Sequence, residues 1–133
     1  MDAINSRRSI RRFSDREIPH DIICKIIESG IKAPSSKNRQ PWKFMVIQGQ
    51  AKEEMLRAFR AGIQREKSGR AMLPESSRRL RGAEYTVHIM EQAPVVILLM
   101  KPLVTGLVAP LNDEARLHEL CNIQAGSEAI ENL

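Results

Sequence analysis

Apolar residues recur along this chain at two spacings, which predict a mixture of helices and short strands. Between Ile22 and Ile31 they lie three or four residues apart, as on one face of a helix, and Pro19 suits its first position. Ala33-Pro34 should end that helix, because the residue before a proline is driven out of the helical region. Helical spacing predicts three further helices, over Ala51 to Lys67, Arg78 to Gln92 and Arg116 to Leu133.

Two other apolar runs predict strands. Lys43 to Gln48 reads KFMVIQ, is rich in β-forming residues and fits a buried strand. Val95 to Met100 reads VVILLM, lies between structure-breaking residues and fits a central strand covered on both faces. Ser68 to Ser77 and Lys101 to Asn112 both contain glycine and proline, so we expect a mobile loop in the first and a connection in the second.

The length and composition indicate one globular domain spanning residues 1–133. Apolar residues make up 42% of the chain and charged residues 28%, which excludes a disordered protein. No apolar run approaches the ~20 residues of a membrane helix, and the start lacks the apolar stretch of a secretory signal. We therefore expect a cytoplasmic protein without membrane contact. Cys24 and Cys121 have no partner at metal or redox spacing, so no metal site is assigned.

The charge of the chain narrows its possible partners. The net charge is +5, and arginines are concentrated near the N-terminus. A basic chain suits nucleic acid, an acidic membrane surface or a phosphate-bearing cofactor. Binders of single-stranded nucleic acid interleave aromatic residues with basic ones for base stacking. This chain has one tryptophan, one tyrosine and three phenylalanines, which argues against nucleic acid.

The N-terminal segment, Met1 to Phe13, predicts one short helix that ends near the serine, with Ile10 and Phe13 facing the core. Its sequence RRSIRRF also offers guanidinium groups and a hydroxyl, which match phosphate and carbonyl oxygens. These donors are carried by Arg7, Arg8, Ser9 and Arg11. On the residues alone, an anion site and an ordinary solvated face both remain open.

The segment from Ala33 to Phe44, APSSKNRQPWKF, concentrates polar side chains between a predicted helix and a predicted strand. It holds two prolines, two serines, Asn38, Gln40 and the only tryptophan, Trp42. Amides, hydroxyls and a large aromatic ring suit a flat ligand with polar edges. The alternative is an ordinary helix-to-strand loop in which Trp42 plugs the core.

The sequence of this loop resembles the signature loop of the FMN-dependent nitroreductase family, and RRSIRRF resembles that family's paired N-terminal element. TVHIMEQAPVVILLM and NIQAGSEAIENL resemble its later helix-to-strand segment and its long central helix. The resemblance implies an α+β, nitroreductase-like three-layer fold with a central sheet flanked by helices. It covers the first two-thirds of a family member, so the C-terminal part is expected to be missing. Either the sequence is truncated in the central helix, or the chain is a fragment that needs a partner to fold.

The resemblance also implies where FMN binds. Arg7 and Ser9 are expected at its phosphate and ribityl end, and Arg8 and Arg11 nearer its isoalloxazine edge. The family's flavin lies between subunits, which implies a homodimer with shared sites. The other subunit would supply the loop residues, Pro34, Ser35, Ser36, Asn38 and Gln40.

The implied activity is an FMN-dependent oxidoreductase. NAD(P)H would reduce the flavin and leave, and a nitroaromatic, a quinone or a conjugated alkene would then take the same site, in a ping-pong mechanism. No side chain is assigned as catalytic, because the cofactor carries the chemistry. A non-catalytic flavin-binding protein or an inactive fragment is the alternative, and a basic nucleic-acid-binding module is a weaker one. The sequence leaves open the acceptor and the choice between NADH and NADPH.

Overall fold

The structure is a computed structural model that describes residues 2–69, 79–101 and 112–133. These residues form two compact units. The first unit comprises Met1–Glu17 and Ile47–Val96, and the second comprises Ile18–Val46 and Ile97–Leu133. The described elements are α1 (Asp2–Ser6), α2 (His20–Ile31), a 3-10 turn (Ser36–Asn38), β1 (Lys43–Gln48), α3 (Gly49–Lys67), α4 (Leu80–Gln92), β2 (Val95–Met100) and α5 (Asp113–Glu131).

In the first unit, α3 packs against α4. Leu56 of α3 and Val87 of α4 are buried, since each lies on the apolar face of its helix. The Lys52 ammonium donates to the carbonyl oxygens of Glu91, at 3.2 Å, and Ala93, at 2.7 Å. A cation there satisfies carbonyls that have no helical partner at the end of α4 and complements the helix dipole.

In the second unit, α2 packs against α5. Pro19 precedes α2 as its N-cap, one position before the predicted place, and its carbonyl oxygen accepts the N–H groups of Ile22 and Ile23. Ile23 is buried, whereas Ile22 and Ile31 lie at the exposed edge of the apolar stripe. The stripe is therefore narrower than the spacing of isoleucines indicates.

The face that α5 buries consists of small residues. Ala125, Gly126 and Ala129 are buried together with Asn122, at the three- and four-residue steps of one helix face. The helix begins at Asp113 rather than at the predicted Arg116. Its start is set by the preceding asparagine, Asn112, whose Oδ1 accepts the N–H of Ala115 at 2.8 Å.

Both strands lie at the predicted bounds and form a small antiparallel sheet, in agreement with an α+β class. The expected burial is wrong in part. Met100 is 44% exposed, and Met45 and Val46 of β1 are exposed as well. Within the described ranges the sheet has two strands, so β2 has one neighbour and is an edge strand rather than a central one.

The predicted short N-terminal helix is present, but its expected end and the residues expected to face the core are wrong. Helix α1 ends at Ser6, and Ile10 is 72% exposed rather than facing the core. The reason is local: the Arg8 guanidinium donates to the carbonyl oxygen of Asn5, at 3.1 Å. That oxygen would accept the N–H four residues on if the helix continued, so the side chain replaces the helical partner.

Three further predictions concern loops. Helix α3 begins at Gly49, earlier than the predicted Ala51. Gly49 has a φ of +56°, which glycine adopts at little cost. Trp42 is half-buried, so it is not a core plug. The expected mobile loop at 68–77 and the expected connection at 101–112 fall mostly on residues outside the described ranges. In the described part, no helix is long and apolar enough to cross a bilayer.

Candidate cofactor site

The loop that follows α2 is fastened by Ser35. Its carbonyl oxygen accepts the N–H of Asn38 at 2.9 Å, and its Oγ accepts the N–H of Gln40, also at 2.9 Å. The Gln40 carbonyl oxygen in turn accepts the N–H of Trp42 at 2.8 Å. Together these bonds fold the predicted ligand loop into a 3-10 turn with a fixed exit towards β1.

Three residues of this loop have a left-handed backbone. The φ angles are +55° at Lys37, +53° at Asn38 and +46° at Gln40. Such a conformation costs an L-residue about 1–2 kcal/mol, and asparagine tolerates it best. Strain of this kind persists where the surrounding bonds impose it and is common at ligand sites.

A cavity of about 220 Å³ lies in the second unit between this loop and α5. The structure brings Pro34, Ser35 and Ser36 to one wall. Asn38 and Gln40 belong to the same loop but do not line the cavity. The opposite wall is one face of α5, formed by Cys121, Gln124, Ala125 and Glu128.

The chemistry of this cavity suits a neutral, polar-edged group. Its walls offer two serine hydroxyls, the Gln124 amide and the Glu128 carboxylate. None of the described lining residues is cationic, and the carboxylate would repel a phosphate. The volume is below the ~300–1,000 Å³ typical of drug-sized ligands, so the cavity can enclose part of a large cofactor.

The N-terminal donors belong to the first unit. Arg7, Arg8 and Ser9 are exposed, and the Arg8 guanidinium also donates to the Arg7 carbonyl oxygen at 2.7 Å. Arg11 donates weakly to the Ser9 carbonyl oxygen, at 3.4 Å, and lines a second cavity of about 680 Å³. Of the four, Arg11 is the residue that lines this cavity.

Sequence reasoning missed the α5 wall of the first cavity. Cys121, Gln124 and Glu128 recur at steps of three and four, which places them on one helix face, and this spacing was readable. What the spacing does not reveal is the element that this face meets. The pairing of α5 with the loop comes from tertiary packing.

The chain matches the profile of the Nitroreductase family over residues 4–129, and it belongs to that family. The resemblance and the nitroreductase-like α+β fold are thereby confirmed. The family is one of oxidoreductases, as the names of its relatives indicate.

Three relatives illustrate the match. A protein of Archaeoglobus fulgidus described as an NADH dehydrogenase/NAD(P)H nitroreductase is 38% identical over 78 residues, 58% of this chain and 40% of that relative. The NADH dehydrogenase of Thermus thermophilus is 30% identical over 101 residues, 76% of this chain and 38% of its own. A Desulfovibrio desulfuricans protein described as a nitroreductase, solved in complex with FMN, is 29% identical with a TM-score of 0.63.

The relatives are longer than this chain. The match to the Desulfovibrio structure covers 98% of this chain but 57% of that structure's chain. The chain spans about two-fifths of the length of the two curated relatives. The matches thus establish the family and the fold of the chain, but not its activity.

Proposed function

We propose that the chain binds FMN and acts as an NAD(P)H-dependent oxidoreductase that reduces nitroaromatics, quinones or related acceptors. The observation that carries the proposal is the cavity in which the loop residues Pro34, Ser35 and Ser36 face Gln124 and Glu128 of α5. The FMN bound in the Desulfovibrio relative supports the choice of cofactor.

In the proposed shared site, the loop of one subunit and the arginine segment of the other suit different ends of FMN. In the loop cavity, the hydroxyls of Ser35 and Ser36 and the Gln124 amide would bond to the polar edge of the ring system. The Glu128 carboxylate accepts hydrogen bonds only, so it would face a ring N–H and not the phosphate. Arg7 and Ser9 would bind the phosphate, as the resemblance implies.

Bound FMN would supply the hydride and electron chemistry between NAD(P)H and the acceptor. The protein would hold and orient the cofactor and polarise it. Arg11 beside the ring edge would stabilise the negative charge that develops there, and a charge-assisted hydrogen bond of this kind contributes ~1.5–3 kcal/mol. Because donor and acceptor would use one site in turn, we propose ping-pong kinetics.

We also propose that the chain forms a homodimer. Outside its buried face, α5 exposes a row of apolar side chains at helical spacing: Leu117, Leu120, Ile123 and Ile130. A helix that is apolar on both sides calls for a second covering surface. A second copy would provide it and bring the arginine segment of one subunit to the loop of the other. The cytoplasmic location stays a prediction.

A titration with FMN, followed by flavin fluorescence and the visible spectrum, tests the proposal. We expect saturable binding of about one flavin per chain. FMN at ~100 times its dissociation constant should then raise the free energy of unfolding by ~2.7 kcal/mol. Gln124→Ala should weaken binding, whereas His20→Ala, exposed at the start of α2, should leave it unchanged.

Two outcomes would count against parts of the proposal. A folded chain that binds no FMN contradicts it outright. FMN binding without consumption of NAD(P)H in the presence of nitroaromatics or quinones would instead indicate a non-catalytic flavin-binding protein. Intersecting rather than parallel lines in double-reciprocal plots would exclude the ping-pong step.

A further inference from the structure

The second cavity, of about 680 Å³, is a separate feature of the first unit. It lies between the segment after α1 and one face of α4. Its lining residues are Arg11, Arg12, Phe13, Tyr85, His88, Ile89 and Gln92. Only Arg11 among these belongs to the residues already given to FMN.

Two polar groups at this cavity have no partner in the described part of the chain. The Arg12 guanidinium forms no hydrogen bond or ion pair there, and neither does the Tyr85 hydroxyl. Both side chains are exposed, so both are available to a ligand. A free guanidinium presents paired N–H donors that match the two oxygens of a carboxylate.

Glu91, an acidic residue of α4 beside the lining residue Gln92, is already engaged elsewhere. The Glu91 carboxylate is paired with the Arg60 guanidinium on α3, and Glu91 Oε2 lies 3.7 Å from His88 Nδ1. The other ring nitrogen of His88 lies 3.0 Å from Gln92 Nε2. The imidazole is therefore held between two neighbours, and none of the described lining residues is acidic.

The rest of the wall is apolar and aromatic. Phe13, Ile89 and the ring of Tyr85 offer flat surface beside the cationic groups. Aromatic rings stack with offset or edge-to-face geometry, so a planar ligand is favoured over a compact one. The combination of one free guanidinium with aromatic surface matches an aromatic ring that bears a carboxylate.

We propose that this cavity is an acceptor subsite that selects planar aromatic carboxylates. The inference rests on the proposed function, because Arg11 lines the cavity and is assigned to the flavin. A ligand seated here would lie beside the group that Arg11 holds. Arg12 is then the specificity-determining residue, and it acts on binding rather than on electron transfer.

The test compares 4-nitrobenzoate with nitrobenzene on the FMN-loaded protein. Equilibrium binding is measured by calorimetry without NAD(P)H, and kcat/KM is measured with it. We expect the carboxylate to bind at least about tenfold more tightly, as one charge-assisted hydrogen-bonded pair implies. Arg12→Gln should remove that preference, because it weakens 4-nitrobenzoate binding more than nitrobenzene binding.

Arg16→Gln is the matched control, because Arg16 is an exposed arginine of the same segment that does not line the cavity. It should keep the preference for 4-nitrobenzoate. Arg12→Lys should restore part of it, since the charge returns without the paired donors.

Equal affinity for the two compounds in the wild-type protein would overturn the inference and leave the proposed function standing. So would an equal loss of both in Arg12→Gln. Binding of 4-nitrobenzoate that is unaltered by FMN and gives no turnover would overturn the acceptor role. A protein that fails to bind FMN would contradict the proposed function itself.

Discussion

Ser35 makes two contacts with the loop residues that follow it. Its carbonyl oxygen and its hydroxyl hold the N–H groups of Asn38 and Gln40, both of which have a left-handed backbone. The same serine lines the loop cavity. The bonds that impose the strained turn are therefore made by a residue that also faces this cavity.

Replacing Ser35 by alanine removes the bond from the Gln40 N–H and should destabilise the loop. We expect a loss of about 1 kcal/mol in the free energy of unfolding, measured by urea denaturation, and weaker FMN binding. Ser36→Ala is the control for stability, since the Ser36 hydroxyl makes no hydrogen bond with the described part of the chain. Equal stability of the two variants would show that the Ser35 hydroxyl does not shape the loop.

Glu91 makes stability depend on pH. The hydrogen bond from the Arg60 side chain lowers the pKa of Glu91 below its ordinary value of 4.5. Burial opposes this shift, and the charge of Arg60 and the hydrogen bond and charge of His88 add smaller effects that lower the pKa further. A carboxylate with a lowered pKa stabilises the fold above the unfolded value. That contribution is lost as the pH falls from about 4.5 through the folded pKa.

Arg60→Gln should therefore raise the pKa of Glu91 and flatten the loss of stability below pH 4.5. NMR titration of the Glu91 carboxyl, with unfolding measured at several acid pH values, checks both effects. Lys67→Gln breaks the other ion pair between α3 and α4, with Glu84, and should leave the Glu91 titration unchanged. An unshifted Glu91 in Arg60→Gln would contradict the assignment.

The helices and strands that were predicted correctly are those whose bounds are determined by neighbouring residues in the sequence. Both strands were correct because β-forming runs end at breakers, and α2 was correct within a residue because proline fixes its start. The N-terminal helix is shorter than predicted, and the Arg8 side chain donates to a carbonyl oxygen that a longer helix would use. Periodicity does not report such competition between a side chain and the backbone.

Gly30 is where α2 and α5 come close. A Cβ on Gly30 would lie 2.8 Å from Leu133 Cδ2, 2.9 Å from Phe44 Cζ and 3.3 Å from the carbonyl oxygen of Ala129. The two side-chain ends can move, but the backbone of α5 yields less readily. The glycine therefore sets the distance between the helices, which in turn positions the α5 wall of the loop cavity.

Gly30→Ala should lower the free energy of unfolding by about 1 kcal/mol, because overpacking outweighs the gain in helix propensity. Gly62→Ala is the matched control: Gly62 lies in α3 with open space around it, so alanine there should stabilise by up to ~1 kcal/mol. Thermal and urea unfolding of the two variants gives the comparison. Stabilisation by both would show that α2 and α5 have room to spare.

For the molecule as a whole, sequence reasoning identified one wall of the loop cavity and not the other. Pro34, Ser35 and Ser36 were predicted because the sequence around them resembles a family motif. Gln124 and Glu128 were not, because their role depends on a helix far along the chain packing against that loop. Packing of distant elements is the information that a local pattern lacks. The assembly state is still harder to predict from local sequence, because the proposed dimer depends on the exposed face of α5.

That face leads to the last prediction. Leu120 lies at the centre of the exposed apolar row and is 54% exposed, so a charge there should cost little in the isolated chain and much in a dimer interface. We expect the wild-type protein to sediment as a dimer and Leu120→Glu as a monomer with weaker FMN binding. Ile4→Glu is the control, since Ile4 is an exposed apolar residue of α1, outside the row. A wild-type monomer, or dissociation of both variants alike, would show that α5 does not form the interface, and flavin binding by that monomer would mean that one chain holds the cofactor alone.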